Sequence, residues 1–178
     1  MSRFRLAPLA LALALCACAP VATSPSPPPA AQTPPAEAES PIEIVSPAKP
    51  LAVAAVVRAG SFARSHASPE GVRSRFAKVL GSARVFSAVA DAPGGTPAWE
   101  LQLTAADYGE PNAYIFELSV LMLRGRDFVS SYTSKQSQRQ TGKSQLTLGP
   151  NELGALAERA IRDVVRQIAA DTARLSTL

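Results

Sequence analysis

Residues 151–175, NELGALAERAIRDVVRQIAADTARL, carry the strongest helix signal in the chain. Apolar side chains recur three and four positions apart and mark one face, while the charged side chains lie mostly off that face. Asn151 is suited to cap the helix. At about 1.5 Å per residue, the segment would extend roughly 37 Å, enough to cross a whole β-sheet. The predicted apolar face consists of Leu153, Leu156, Ala157, Ala160, Ile161, Val164, Val165, Ile168 and Leu175.

The residues before this helix predict the sheet that it covers. AWELQLTAAD (98–107) alternates apolar and polar side chains, and AYIFELSVLMLRG (113–125) continues the alternation after the turn GEPN. RGRD (124–127) is typical of a hairpin turn, and FVSSYTSKQSQRQ (128–140) reads as the returning strand. These segments predict three consecutive strands joined by short turns.

A strand, a helix and a further strand precede them. LAVAAVVRAG (51–60) and VFSAVAD (85–91) are short, apolar and rich in valine, as buried strands are. Between them, Ser68 is a candidate N-cap, Pro69 suits the first helical position and Glu70 suits the positive helix end. The order β-α-β-β-β-β-α predicts an α+β two-layer sandwich: a mainly antiparallel sheet of four to five strands with two helices on one face.

A proline-rich segment separates this domain from the N-terminus. Ten of the 32 residues from 19 to 50 are proline, and Ser, Thr, Ala and Glu fill most of the rest. Such a composition buries too little apolar surface to offset the cost of ordering the chain. We predict a disordered tether over 18–50 and a folded domain over 51–178. The tether would either let the domain leave the membrane surface and find a partner, or act only as a passive spacer.

Residues 1–17 have the three parts of an export signal. Arg3 and Arg5 are followed by a short apolar stretch and then by small residues. The stretch is about half as long as a bilayer-spanning helix. Its end resembles the lipobox of bacterial lipoproteins, in which a leucine three positions before the cysteine and a small residue just before it precede the cleavage site. Cys18 has Leu15 and Ala17 in those positions, whereas Cys16 follows the bulky Leu15.

Cys18 is therefore the predicted lipidation site, and an ordinary signal peptide cut near Ala19 is the alternative. Acyl chains on Cys18 would anchor the chain durably. The mature chain would then contain no free thiol and no disulfide. In lipoproteins, an alanine after the cysteine is compatible with sorting to the outer membrane. We expect a lipid-anchored protein facing the periplasm, on the outer rather than the inner membrane.

The charge of the chain is modest. The formal net charge of +4 falls to +2 when Arg3 and Arg5 leave with the signal, which does not suggest nucleic acid as a partner. We expect several basic side chains around the last hairpin and the following loop to converge at one end of the sheet. There they would meet anionic lipid headgroups or an acidic partner, or they would only discourage strand aggregation. They are Arg124, Arg126, Lys135, Arg139 and Lys143.

No residue pattern predicts catalysis, a metal or a cofactor. His66 is the single histidine and is interpreted as a solvated loop residue, since neither histidine nor cysteine remains to join it. The serines of SSYTS (130–134) lack the strained G-x-S-x-G turn of a nucleophile. Asp91, Asp107 and Glu110 flank turns and are interpreted as turn or solvent residues. A carboxylate pair for glycoside cleavage remains the alternative for them.

The arrangement resembles one family. The lipobox, RFAKVLGSARVFSAV (75–89), the strand pair WELQLTAADYG and YIFELSVLMLRGRDFV, and the closing amphipathic helix are similar to the ABC-type transport auxiliary lipoproteins. The resemblance covers roughly residues 70–176. The aromatic and proline segment common before the first helix of that family has no clear counterpart in AGSFARSHASPEG (59–71). The resemblance implies a periplasm-facing partner of a lipid-trafficking system and transfers no catalytic residue.

We therefore expect a non-enzymatic accessory lipoprotein that binds an envelope protein complex or lipid in lipid or outer-membrane transport. One alternative is a structural lipoprotein that assembles or pilots a secretion or surface-fibre pore. A weaker alternative is a cell-wall hydrolase.

Overall fold

The computed structural model describes residues 42–90, 98–139 and 148–178. The predicted signal, the lipidation site Cys18, most of the predicted tether and Lys143 lie outside these ranges, as does Asp91. Within the described ranges, every helix is too short or too polar to cross a bilayer.

The elements follow in the predicted order, with one short helix added. They are β1 (Leu51–Ala59), α1 (Pro69–Ser82), β2 (Phe86–Ala90), β3 (Ala98–Glu110), β4 (Ala113–Arg124), β5 (Asp127–Arg139), α2 (Pro150–Ala170) and α3 (Thr172–Leu175). The turn between β4 and β5 comprises two residues, and Gly125 adopts a φ of +65° there, which glycine accommodates without strain.

The five strands form one sheet in the order β2-β1-β3-β4-β5. Strands β3, β4 and β5 pair antiparallel, whereas β1 pairs parallel with both β2 and β3. The α+β sandwich is confirmed, and half of its strand pairings are parallel. The parallel pair β1–β2 arises because α1 carries the chain back to the starting end of the sheet before β2 begins.

Both long helices pack on one face of the sheet, as predicted. Helix α2 contacts β4 and β5, α1 contacts β1 and β2, and the two helices contact each other. The core between the layers includes Phe76, Phe116 and Ile161, all fully buried. Each of the nine side chains predicted for the apolar face of the last helix is buried as well.

Helix α1 begins as the sequence predicts. Ser68 is its N-cap, and its hydroxyl accepts a hydrogen bond from the Gly71 backbone N–H at 3.2 Å. Pro69 occupies the first helical position, and Glu70 lies in the first turn. Local capping rules therefore suffice to place this boundary.

Helix α2 begins two residues earlier than a cap at Asn151 predicts, and it ends sooner than predicted. Gly149 is the N-cap, and its backbone N–H donates to Glu152 Oε2 at 2.9 Å, so the expectation that Asn151 caps the helix is wrong. Pro150, suited to the first helical position, explains the earlier start. The helix ends at Ala170, and the C-cap Asp171 accepts a hydrogen bond from the Tyr132 hydroxyl of β5 at 2.6 Å and forms an ion pair with Arg174.

Two segments outside the regular elements pack on the domain. Residues 42–50, assigned to the tether by composition, lie against it, and Ile44 contacts the hydrophobic core. After β1, residues 60–64 continue beside β3, where the Gly60 N–H donates to the Leu103 carbonyl at 2.7 Å. A Cβ on Gly60 would lie 2.8 Å from that oxygen, which accounts for glycine at this position.

Candidate functional site

The predicted basic residues do not gather at one end of the sheet. Arg124 and Arg126 lie at the β4–β5 turn, whereas Arg139 pairs with Ala113 at the far end of the hairpin. At about 3.3 Å per residue, the twelve steps from Asp127 to Arg139 separate these ends by roughly 40 Å. The expected convergence is therefore wrong for the four described residues, because they follow one long strand rather than a compact loop.

Lys135 lies towards the far end of β5, and neighbouring side chains contact its ammonium group. Its Nζ lies 3.7 Å from Glu110 Oε1 and 5.5 Å from the centre of the Tyr108 ring. An ion pair and a cation–π contact thus explain the position of the Lys135 side chain on the face of the sheet opposite the helices. Arg124, in contrast, lines a cavity.

A cleft of about 880 Å³ opens beside Arg124 at the β4–β5 turn. We call it the Arg124 cleft. Its volume is within the range of about 300–1,000 Å³ that is usual for ligand pockets. One wall is the segment that leads into β1, and the other is formed by the end of α2, by α3 and by the last residues. The lining residues are Pro47, Ala48, Lys49, Pro50, Leu51, Ala52, Val53, Trp99, Arg124, Gly125, Ala169, Ala170, Thr172, Ala173, Leu175, Ser176 and Leu178.

The base of the Arg124 cleft is apolar. Trp99, Leu51 and Leu175 line it and are buried in the core. The Trp99 ring packs edge-on against Phe86, with ring centres 6.2 Å apart and planes at 72°. Well-packed aromatic and aliphatic side chains give the cleft a preformed base.

The rim of the cleft is cationic. Arg124 Nη1 donates a hydrogen bond to the Leu178 backbone oxygen at 2.6 Å, and both Arg124 and Lys49 are exposed. The described lining contains no aspartate and no glutamate. An apolar cavity with positive charge at its mouth can accommodate an amphiphile that carries a negative group.

A second cluster lies at the opposite end of the sheet, around Asp107. The Asp107 carboxylate accepts hydrogen bonds from the Ser65 hydroxyl at 2.6 Å, the His66 backbone N–H at 2.6 Å and His66 Nδ1 at 2.7 Å. The Tyr114 hydroxyl donates a further hydrogen bond. We call Ser65, His66, Asp107 and Tyr114 the Asp107 cluster. Its carboxylate side chain is fully buried, so the interpretation of Asp107 as a turn or solvent residue is wrong.

The sequence contained a signal for this cluster. Asp107 continues the inward series of Trp99, Leu101, Leu103 and Ala105, so strict alternation would place its carboxylate in the core. A buried carboxylate requires hydrogen-bond partners. The partners come from the 60–67 segment and from β4, and no local pattern predicts their approach.

The Asp107 cluster attaches the segment before α1 to the sheet. It joins residues 65 and 66 to β3 and β4, while the His66 side chain remains 82% exposed, consistent with its interpretation as a loop histidine. Within the described ranges, no hydroxyl or thiol is hydrogen-bonded to His66 Nε2, and no three potential metal ligands come together. The hydrogen bonds therefore account for attachment of the segment that leads into α1.

Hydrogen bonding and burial shift the ionisation of this cluster. Burial alone would raise the pKa of Asp107, but the hydrogen bonds from His66, Ser65 and Tyr114 outweigh it and lower that pKa below its usual value. Burial raises the pKa of Tyr114 to about 12, and the hydrogen bond to Asp107 and the negative charge of that carboxylate add to the effect. The protonated phenol and the ionised carboxylate thus stabilise each other.

The Tyr114 shift predicts a loss of stability in alkali. Because the folded pKa of about 12 exceeds the ordinary value of 10.0, the contribution of Tyr114 is complete below pH 10 and declines as the pH rises through 12. Urea unfolding midpoints measured across this window should fall more steeply for the wild type than for Tyr114→Phe. Parallel declines in the two proteins would contradict the prediction.

No protein-family model and no curated protein matches the chain. Three solved structures illustrate what it resembles. The PelC dodecamer from Paraburkholderia phytofirmans has 13% identity and a TM-score of 0.48, covering 70% of this chain and 93% of that one. A Xanthomonas campestris protein of the family DUF330 has 13% identity and a TM-score of 0.49, covering 76% and 95%. A minor lipoprotein from Acinetobacter baumannii has 15% identity and a TM-score of 0.41, covering 68% and 94%.

These similarities are too distant to assign a family or a function to this chain. The resemblance to the ABC-type transport auxiliary lipoproteins accordingly stays a prediction. The Arg124 cleft and the Asp107 cluster are interpreted from their own geometry.

Proposed function

We propose that the chain is a lipid-anchored bacterial envelope lipoprotein whose domain binds another envelope component as an accessory to lipid or outer-membrane transport. The observation that supports this function best is the Arg124 cleft, which is open, mainly apolar and cationic at its rim. Its lining suits binding, and the hydrogen bonds of the Asp107 cluster suit attachment of a segment. The proposed role is therefore non-enzymatic.

The anchor is proposed from the sequence around Cys18. Leu15 and Ala17 stand where a lipobox has its leucine and its small residue. The acylated cysteine would hold the domain at the membrane through the proline-rich residues that follow. We propose that the domain faces the periplasm, and that Ala19 permits sorting to the outer membrane.

A pair of cysteine variants tests this proposal. In a bacterium that processes lipoproteins, Cys18→Ser is expected to abolish incorporation of labelled palmitate, because it removes the thiol to which the acyl chain attaches. Cys16→Ser is the matched control, since it removes the neighbouring thiol, and it should be acylated like the wild type. Affinity capture of the acylated protein, followed by identification of co-purifying proteins, should recover a permease, an ATPase or a substrate-binding component.

Two results would contradict the proposal. Equal labelling of Cys18→Ser and the wild type would show that Cys18 is not the anchor. If the acylated wild type captures no envelope protein, the proposed accessory role is contradicted.

A structural role in assembling a pore or surface fibre is the second candidate. The edge strand β5 supports it, since this strand is thirteen residues long and pairs only with β4 among the described strands. An exposed edge of this length can accept a strand from another subunit. Recovery of a secretin or fibre subunit in the capture experiment would favour this role over transport.

A further inference from the structure

We propose that the Arg124 cleft binds one anionic glycerophospholipid, with an acyl chain over Trp99 and the phosphate at Arg124 and Lys49. The inference rests on the proposed function and names the ligand class of the same site.

The walls of the cleft supply most of the surface that an acyl chain needs. Leu51, Trp99 and Leu175 lie at the base and are almost fully buried, whereas Ala170, Ala173 and Leu178 line the walls and are exposed. Small side chains along a wall leave room for a linear chain. Each methylene group that leaves water for such a surface strengthens binding by about three- to fourfold, so even a short chain gains affinity there.

The charge of the rim selects the headgroup. Arg124 and Lys49 both line the cleft, and the described lining contains no aspartate or glutamate, although the Leu178 backbone oxygen accepts one hydrogen bond from Arg124. A phosphodiester brings one negative charge to this position. A guanidinium can bind phosphate oxygens in a bidentate manner, whereas an ammonium adds a point charge.

The contacts of Arg124 leave it available for this role. Among the described residues, only the Leu178 backbone oxygen accepts a hydrogen bond from the guanidinium. That single bond positions the side chain at the mouth of the cleft. The other N–H donors of the guanidinium remain for a ligand, since arginine has five.

The neighbouring cleft between residues 42–46 and the helices offers no such selectivity. It contains Arg75, Lys78 and Arg162, but Glu43 and Glu158 also line it. Arg162 Nε already lies 2.8 Å from Glu158 Oε1. Mixed charge with an internal ion pair gives little preference for an anion, so the Arg124 cleft is the better site for an anionic lipid.

Trp99 provides the reporter for a test, because it is the single tryptophan of the chain. The full-length mature protein is placed in phosphatidylcholine nanodiscs and titrated with monomeric dihexanoyl-phosphatidylglycerol, while Trp99 emission is recorded. Dihexanoyl-phosphatidylcholine is the matched zwitterionic probe, and glycerol phosphate is the probe without acyl chains. We expect saturable binding of phosphatidylglycerol and weaker binding of both other probes.

Three variants identify the site. Arg124→Gln should weaken phosphatidylglycerol binding by about fivefold, the effect of losing one exposed charge contact. Ala173→Phe, which fills the cleft from an exposed position, should weaken it by about tenfold through displacement of two methylene groups. Arg139→Gln removes the same charge at the far end of β5 and should bind like the wild type. Unchanged thermal midpoints will show that the variants fold.

The inference is overturned if phosphatidylcholine binds as tightly as phosphatidylglycerol, if emission never saturates, or if glycerol phosphate binds equally well. It is also overturned if Arg124→Gln and Arg139→Gln weaken binding alike. Failure of the lipid titration in a chain that is acylated at Cys18 and captures its partner would leave the proposed function intact. A chain that binds the lipid but carries no acyl group would overturn the anchor instead.

Discussion

Replacing Ile161 with aspartate is expected to prevent the domain from folding. Ile161 is fully buried between α2 and the sheet, in the hydrophobic core. The substitution removes apolar contacts and places a carboxylate where apolar side chains surround it. We expect the free energy of unfolding to fall by about 5 kcal/mol or more, which is comparable with the whole stability of many domains. Circular dichroism and thermal unfolding of the purified variant will measure the loss.

Ala155→Asp is the matched control for this variant. It introduces the same side chain on the same helix, but Ala155 is exposed. The expected cost is limited to helix propensity, about 0.7 kcal/mol or less. A wild-type melting temperature for Ile161→Asp would show that the helix face is wrongly assigned, and equal losses in both variants would show that burial is not the cause.

The second large effect is expected from Asp107→Ala. The substitution removes the acceptor shared by Ser65, His66 and Tyr114, and it leaves the nearly buried Tyr114 hydroxyl with only a long contact of 3.4 Å to His66 Nδ1. Unsatisfied buried donors each cost about 1–3 kcal/mol, so we expect a loss of about 3 kcal/mol in the free energy of unfolding. Urea denaturation will measure it. Hydrogen exchange should also become faster at the Asp107 backbone amide, which donates to the Arg64 carbonyl.

Asp127→Ala is the control, because Asp127 is an exposed aspartate at the start of β5. Its loss should be within about 0.5 kcal/mol, as for most surface substitutions. If Asp107→Ala proves as stable as Asp127→Ala, the Asp107 cluster does not hold the 60–67 segment in place.

Elements governed by neighbouring residues could be predicted from the sequence. Helix α1 begins at Ser68–Pro69 because capping and proline geometry act over a few positions. The apolar face of α2 could also be predicted from the sequence, since helical spacing assigns Ile161 and its neighbours to one side of the helix. The hydrogen bond from Tyr132 to Asp171 at the end of α2 could not be predicted, because it joins the helix to a distant strand.

The functional features depend on contacts between distant parts of the chain. Arg124 was predicted as a site residue from its charge, but its cleft exists only because residues 47–53 and the end of the chain meet beside it. The Asp107 cluster joins residues more than 40 positions apart. The separation of Arg139 from Arg124 could not be predicted, because their nearness in sequence does not show that the thirteen-residue strand β5 carries Arg139 to the far end of the hairpin.

The position of β1 has a consequence for the order in which the chain is completed. It is the first of the described strands along the chain, yet it occupies an interior place with β2 on one side and β3 on the other. Its last residue, Ala59, pairs with Leu103, 44 positions later. The middle of the sheet therefore cannot close until the chain has emerged as far as Leu103. Until then, its most apolar strand requires protection from aggregation, as other slow long-range pairings do.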